Sequence, residues 1–377
     1  MTDPVEVRAE LRAELRAEPT ADWDALAVDR PGGHVLQSVA WAEHRRARGW
    51  VPRFVVAGDL RILALTRAWA MLGGGSAYLP RGPAPVQGTE MLGAGLWAAT
   101  RALAAEGIDV VAADAEMGAT DGRWRDWLHR ARFHAIEEIQ PSRHRVSLPL
   151  AGVDEEAALA GVAKSTRQRI RKAAKQGIAV VRHDVRLGDA PGDGFAAPSE
   201  VADVALDRFY DLLLETGERR DFTFGPRAEY LAWWRRAAAA GHLVYLEARD
   251  GGPAGDPLAG LVLYRHGARL STVHSGDHAS SRRSHAGALH LLRWRAIQLA
   301  IRESAGEIDL GGVDVPGARR RPVEGEPMHG LLQHKLSFGA QWVELAGAHE
   351  RVIRPRRYQA GRAVAGVLRR LPGPLRR

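Results

Sequence analysis

From residue 22 onward the sequence passes through one order of helices and strands and then, beyond residue 150, through nearly the same order again. Helical patterning at 22–28 and 39–48 leads into the strand-like runs RFVVAG, RILALTRAWA and SAYLP. A helix near 89–106, the strand DVVAADA, a helix near 122–132 and the run HRVSLPL follow. The second pass starts with two short helices between 154 and 176 and a strand at 178–183. Helices at 199–216 and 226–240, the strands HLVYLEARD, PLAGLVLYRHG and RLSTVHSGD, a helix at 286–304 and the strand EIDLGG complete it. A chain of 377 residues exceeds one ordinary domain of about 150. The pattern therefore predicts an α/β (α+β) fold of two similar domains, 20–150 and 151–340, joined near 149–154. Residues 341–377 are expected to complete the first domain, and 1–19 to be flexible or accessory.

Several function classes fall away on composition. There are no cysteines, which excludes disulfides, zinc–thiolate sites and thiol nucleophiles. The opening MTDPVEVRAELRAELRAEPTAD alternates charge and does not read as a secretory signal. No run approaches the ~20 apolar residues of a spanning helix, and the fifteen histidines include no H-E-x-x-H, so no metal is expected. The net charge of +8 resides in the tail. Residues 351–377 hold nine arginines and no acid, and the remaining 44 basic and 45 acidic residues nearly cancel. Its AVAGVLRRL stretch suits anionic lipid headgroups or nucleic-acid phosphates, or else a solvated terminus.

A second cationic block, KSTRQRIRKAAKQGIAVVR at 164–182, has seven basic residues and no acid. Asp154 is expected to cap the first of two helices there, Ser165 or Thr166 the second, and Gly177 to end it. Ile170, Ala173 and Ala174 can then face a core while Arg167, Arg171, Lys172 and Lys175 face outward, toward a phosphate-bearing ligand.

Six segments, LQSVAWAEHRRARGW (36–50), YLPRGPAP (78–85), STRQRIRKAAKQGIAV (165–180), ETGERRDFTFGPRAEYLAWW (215–234), IDLGGVD (308–314) and HKLSFGAQWVELAG (334–347), resemble in order and spacing those of the FemABX peptidoglycan-bridge aminoacyltransferases. The resemblance implies two GNAT-like acyltransferase domains in tandem, without the coiled-coil arm of some members. It implies aminoacyl-tRNA as donor, the stem-peptide amine of a UDP- or lipid-linked peptidoglycan precursor as acceptor, no cofactor, and a cytoplasmic monomer that can touch the inner membrane face through 351–377. It also implies that Phe338 lines the substrate site and that the basic block 167–175 meets tRNA phosphate. The chain departs from the pattern at His334, where an aromatic is frequent, and at Gly339-Ala340, where Gly-Gly is common. Members that aminoacylate specialised metabolites share the same motifs.

Aminoacyl transfer needs an uncharged amine, stabilisation of a tetrahedral oxyanion and a proton for the departing ribose oxygen. Only four of the 53 basic residues are lysines, at 164, 172, 175 and 335. A lone ammonium at 335 suits the oxyanion or leaving group, because it is compact and can release a proton as a guanidinium does not. The bland alternative places Lys335 by chance on an exposed strand end. Asp114, at the end of DVVAADA, is the candidate carboxylate for the acceptor ammonium, or else a turn aspartate. Arg45, Arg46, Arg81 and Arg227 are candidates for diphosphate. Tyr230 lies one helical turn beyond Arg227, and Gly311 and Gly312 permit close backbone approach. Two other readings stand beside this one. A CoA-dependent N-acyltransferase would need a pyrophosphate loop that SHAGAL (284–289) matches only in part. A non-catalytic binder of nucleic acid or membrane would use the basic blocks alone.

Overall fold

The computed structural model describes residues 11–70, 72–84, 88–188, 192–220 and 223–370, so the first ten and last seven residues lie outside the description. In chain order the elements are β1 (Glu14–Arg16), α1 (Val39–Arg46), β2 (Val51–Ala57), β3 (Leu60–Ala68), β4 (Gly75–Leu79), α2 (Gly88–Ala105), β5 (Ile108–Ala113), α3 (Gly122–Arg130) and β6 (His134–Ala135). There follow β7 (Arg145–Pro149), α4 (Glu155–Gly161), α5 (Lys164–Lys175), β8 (Ala179–His183), α6 (Ala202–Arg220), α7 (Arg227–Ala239), β9 (Leu243–Arg249), β10 (Pro257–His266) and β11 (Arg269–Asp277). The chain closes with α8 (Ser281–Ser284), α9 (Ala288–Arg302), β12 (Glu307–Asp309), α10 (His329–Leu336), β13 (Gln341–Val343), β14 (His349–Val352) and α11 (Pro355–Arg370).

Two compact units result, one of residues 1–143 and 344–377 and one of residues 144–343. The first unit is built on a seven-stranded sheet of order β1-β2-β3-β4-β5-β14-β6, antiparallel except for the β4–β5 pair. Alternation sorts its side chains onto two faces. Val55, Ile62, Ala64 and Ala77 pack with Leu92, Leu96 and Trp124 of α2 and α3, while Phe54, Leu63 and Leu65 pack with Trp23 and Ala42 on the opposite face. Residues 14–16, within the stretch expected to be flexible or accessory, pair with β2 as an edge strand.

The start of the tail packs into the first unit. Arg351 and Val352 belong to β14, which is hydrogen-bonded to β5 on one side and β6 on the other. Arg351 donates to the Ala131 carbonyl, Arg354 to the carbonyls of Ala104 and Ile108, and Arg357 to the buried Asp109 carboxylate at 3.0 Å. Three of the nine tail arginines thus hold the first unit together, and neither a solvated terminus nor a membrane tether describes them. Composition alone hid this, because the acceptors are carbonyls and a carboxylate some 220–250 positions earlier.

The second unit repeats the sheet plan in the order β13-β7-β12-β11-β10-β9-β8, again antiparallel except for one central pair, β11–β12. Strand β7, expected at the end of the first domain, pairs with β12 and β13, which puts the join between residues 143 and 144 rather than at 149–154. One face of this sheet carries Leu246, Leu261, Leu263, Leu270 and Ile308 against Leu291, Leu292 and Ile297 of α9 and Ile170 and Ala173 of α5. Asp154 caps α4 as expected, accepting from the Ala157 amide at 2.8 Å, and Gly177 ends α5 with φ +78°. Helix α5 begins without a side-chain cap, the Thr166 hydroxyl instead donating to the Ser337 hydroxyl. Ala174, expected on the apolar face, is exposed.

Candidate acyl-transfer site

The second unit carries an opening in its sheet. Strands β11 and β12 are paired only over Arg269–Ser271 and Glu307–Asp309. Beyond that point β11 stays with β10 as far as Asp277, whereas the Leu310 amide donates to the Val146 carbonyl at 2.7 Å, so the continuation of β12 follows β7. Two parallel strands that part in this way expose backbone groups along a wedge into which a ligand chain can insert.

Lys335 stands at this wedge. It lies on α10, not on a strand end, and is only 5% exposed. Its Nζ donates to the Gly311 carbonyl at 2.9 Å and to the Gly312 carbonyl at 3.4 Å. Gly311 has φ +85°, and a Cβ there would come 2.9 Å from the Thr272 carbonyl oxygen and 3.2 Å from Nζ. Glycine is therefore required both for the turn and for the approach of the ammonium. The Asp309 carboxylate fixes the turn by accepting from the Gly311 amide at 2.7 Å. Burial away from water, reinforced by the Arg293 guanidinium and opposed by Asp309, lowers the Lys335 pKa to about 7. Near neutral pH the group therefore exists in both protonation states, which suits proton delivery.

The wall behind Lys335 consists of neutral rings. His334 packs edge-on against His290 at 4.6 Å and against Phe338, fully buried, at 5.5 Å. Burial together with Arg293, His290 and Lys335 pushes the His334 pKa down to about 2, and burial with Arg169 and Arg293 pushes His290 down to about 4. An unfolded histidine takes up its proton near 6.5 while these two resist it, so stability is complete above pH 6.5 and is lost as the pH falls. Replacing His334 with phenylalanine should remove up to about 2 kcal/mol of the loss between pH 6.5 and 5. Urea unfolding at the two pH values checks this.

The other expected residues divide between the units. In the second unit, Arg227 is held by Asp207 at 3.0 Å and by Asp211, with its guanidinium 5.0 Å from the Tyr210 ring. Tyr230 packs against Tyr210, Phe224, Trp234 and His274, so Arg227 and Tyr230 converge on Tyr210. Arg167 turns back to donate to the carbonyls of Leu159, Ala160 and Val162 and so ties α5 to the end of α4. Arg171, Lys172 and Lys175 are exposed. In the first unit, Asp114 is 1% exposed and accepts from the Tyr78 hydroxyl at 2.9 Å and the Arg81 amide at 2.6 Å. Burial raises its pKa against the pull of Arg81. Arg81 itself donates to the Ser142 carbonyl. Arg45 borders a cavity of about 680 Å³ lined by Trp41, Trp50, Trp69, Tyr78 and Tyr358, and it lies over the rings of Trp41 and Trp50. Arg46 is spent on Glu43 and Glu18 at the surface. Asp309 and Arg293 escaped the sequence reading. Arg293 carried a signal, a charge on the buried side of the apolar run ALHLLRWRAIQLA.

Among the described residues no group of three or more side chains could hold a metal ion, and no helix is long and apolar enough to cross a membrane. The family profile described as "Acetyltransferase (GNAT) domain" matches residues 160–318, which include the β11–β12 wedge. No curated protein sequence matches the chain. Among solved structures, the crystal structure of FemX is similar over 92% of this chain and 99% of its own, with TM-score 0.75 and 18% identity. A conserved protein of unknown function from Bacteroides thetaiotaomicron is similar over 90% of this chain and 99% of its own, with TM-score 0.53 and 14% identity. The chain has the FemX fold, two GNAT-like units in tandem, and is an acyltransferase whose residues 160–318 match a GNAT acetyltransferase domain.

Proposed function

We propose that the chain moves an aminoacyl group from aminoacyl-tRNA to the stem-peptide amine of a nucleotide- or lipid-linked peptidoglycan precursor, acting as a cytoplasmic monomer. The observation that carries this reading is the buried Lys335 at the strand wedge, with its ammonium on the Gly311 and Gly312 carbonyls and a pKa of about 7. The FemX fold and the six motif segments support the choice of donor and acceptor.

In the reaction the neutral amine attacks the ester carbonyl carbon, a C–N bond forms, and the carbonyl oxygen becomes an oxyanion. The C–O bond to the ribose then breaks and the ribose oxygen takes a proton, while the attacking nitrogen loses one. Protonated Lys335 stabilises the oxyanion and supplies the proton to the ribose oxygen, and at its pKa it recovers one from solvent or from the attacking nitrogen as the amide forms. Phe338 and His334 keep water from the ammonium. Asp114 holds Tyr78 and the Arg81 loop in place, one oxygen accepting from each. Arg227 serves precursor phosphate, and Arg171, Lys172 and Lys175 serve tRNA phosphate.

Incubation with a mixed pool of charged tRNAs and a wall precursor, followed by mass spectrometry, tests the reading. A gain of one amino-acid residue, abolished by ribonuclease, is expected. Turnover with an acyl-CoA after ribonuclease would replace the donor and favour the CoA-dependent reading that the GNAT profile also admits.

A further inference from the structure

Helix α5 is seated along α8 and the start of α9 by three contacts on one helix face. Arg169 Nη1 lies 3.4 Å from His290 Nε2, and Gln176 Nε2 donates to the Ser284 carbonyl at 3.0 Å. Between them, a Cβ at Gly287 would come 2.6 Å from the Arg169 carbonyl oxygen and 2.9 Å from the Ala173 side chain. At its Arg169 end this seam meets the acyl-transfer centre. His290 packs edge-on at 4.6 Å against His334, the residue before Lys335. At its Gln176 end it meets α8, which follows the end of β11, the strand that diverges to form the wedge.

Cations border the seam on both sides. On α5, Lys172 stands one turn from both Arg169 and Gln176, with Arg171 and Lys175 beside it, and on α8 Arg283 precedes Ser284; all five cations are exposed. The other charges of α8 are taken up, Arg282 by Asp277 at 2.8 Å, and His285 lies 3.4 Å from Asp250. Among the described residues, Arg171, Lys172, Lys175 and Arg283 are offered no carboxylate. Neither helix exposes a large apolar side chain, which sets this surface apart from one that enters a bilayer. Cations without counter-charges on helices fixed against one another attract a polyanion, and here they lead it to the wedge.

We propose that the seam between α5 and α8 is a phosphate track for the 3′-terminal strand of the donor RNA, with Arg283 and Lys172 at its outer part and Arg169 at the last phosphate before Lys335. The ester sits on the 3′ end of the RNA, so the strand that carries it has to pass the ground between an outer anchor and the wedge. This inference rests on aminoacyl-tRNA as donor and adds to it the path and the residues that fix it.

Binding of uncharged tRNA to full-length protein over a range of salt concentrations tests the track without any acyl transfer. Arg283→Gln and Lys172→Gln should each reduce the slope of log affinity against log salt by about 0.7, and the double variant by about 1.4. Arg125→Gln, at an exposed position of α3 in the first unit, should leave it unchanged. With tRNA trimmed of its 3′-terminal nucleotides, wild type should bind more weakly and the two substitutions should lose their effect. Unchanged slopes in the variants, or equal losses with intact and trimmed tRNA, overturn the track and leave the donor assignment standing. Wild type that binds no tRNA overturns both. Variants that lose affinity for coenzyme A or for anionic vesicles while holding tRNA normally would assign the cations to those ligands, which also overturns the proposal.

Discussion

Lys335→Ala is expected to lower the single-turnover rate of acyl transfer by about 100-fold or more, the scale seen when one oxyanion donor is removed, with little change in precursor affinity. The expectation follows from where the ammonium sits. It is buried at the strand wedge, and its interactions matter most when negative charge develops on the reacting oxygen. The same position costs stability. Folded Lys335 titrates near 7 and an unfolded lysine near 10.5, so between these values the unfolded chain holds the extra proton. Stability from this site is complete above pH 10.5 and is lost as the pH falls to 7. A Lys335→Met protein should therefore be harder to unfold with urea at pH 7 than wild type while being inactive. A lysine retained at such a cost is one kept for its chemistry.

Removal of residues 351–377 should prevent the first unit from folding. The cut takes half of β14, the apolar contact of Ile353 and both arginines that pair with Asp109. Asp109 is fully buried and would keep only the Trp69 indole and the Gly75 amide as donors. Stranding a buried charge costs about 3–5 kcal/mol, a large part of the ~5–15 kcal/mol that holds an ordinary domain together. Near-UV circular dichroism and thermal melts should show the loss. A chain ending at residue 364 keeps β14, Ile353, Arg354 and Arg357 and should fold. A cooperative, wild-type melt for the chain ending at residue 350 would show that residues 351–377 are dispensable for the first unit.

Much of the architecture was legible because it is written in local patterns. The alternation in RILALTRA sorts Ile62 and Ala64 from Leu63 and Leu65 onto opposite faces, as β3 does in the structure. Asp154 and Gly177 bound α4 and α5 by rules that need only neighbouring residues. The join was displaced because β7 pairs with β12, more than 150 residues later, and no local signal reports such a partner. Strand β14 was missed for the same reason. At the site, the rarity of lysine singled out residue 335, but its burial and its place on α10 depend on tertiary packing. The Gly311 turn was visible in IDLGG, whereas Arg293 was lost among 49 arginines, and only the fold distinguishes it from a solvated one.

The most direct test of Lys335 as the acyl-transfer group is the single-turnover rate of Lys335→Arg, measured beside wild type with charged tRNA and precursor. Arginine keeps the positive charge but is planar, bulkier against Gly311, and does not give up a proton near neutral pH. A fall of about 100-fold with unchanged precursor affinity is predicted. A near-normal rate would contradict the account, because a simple electrostatic anchor tolerates the exchange and a proton-delivering ammonium does not.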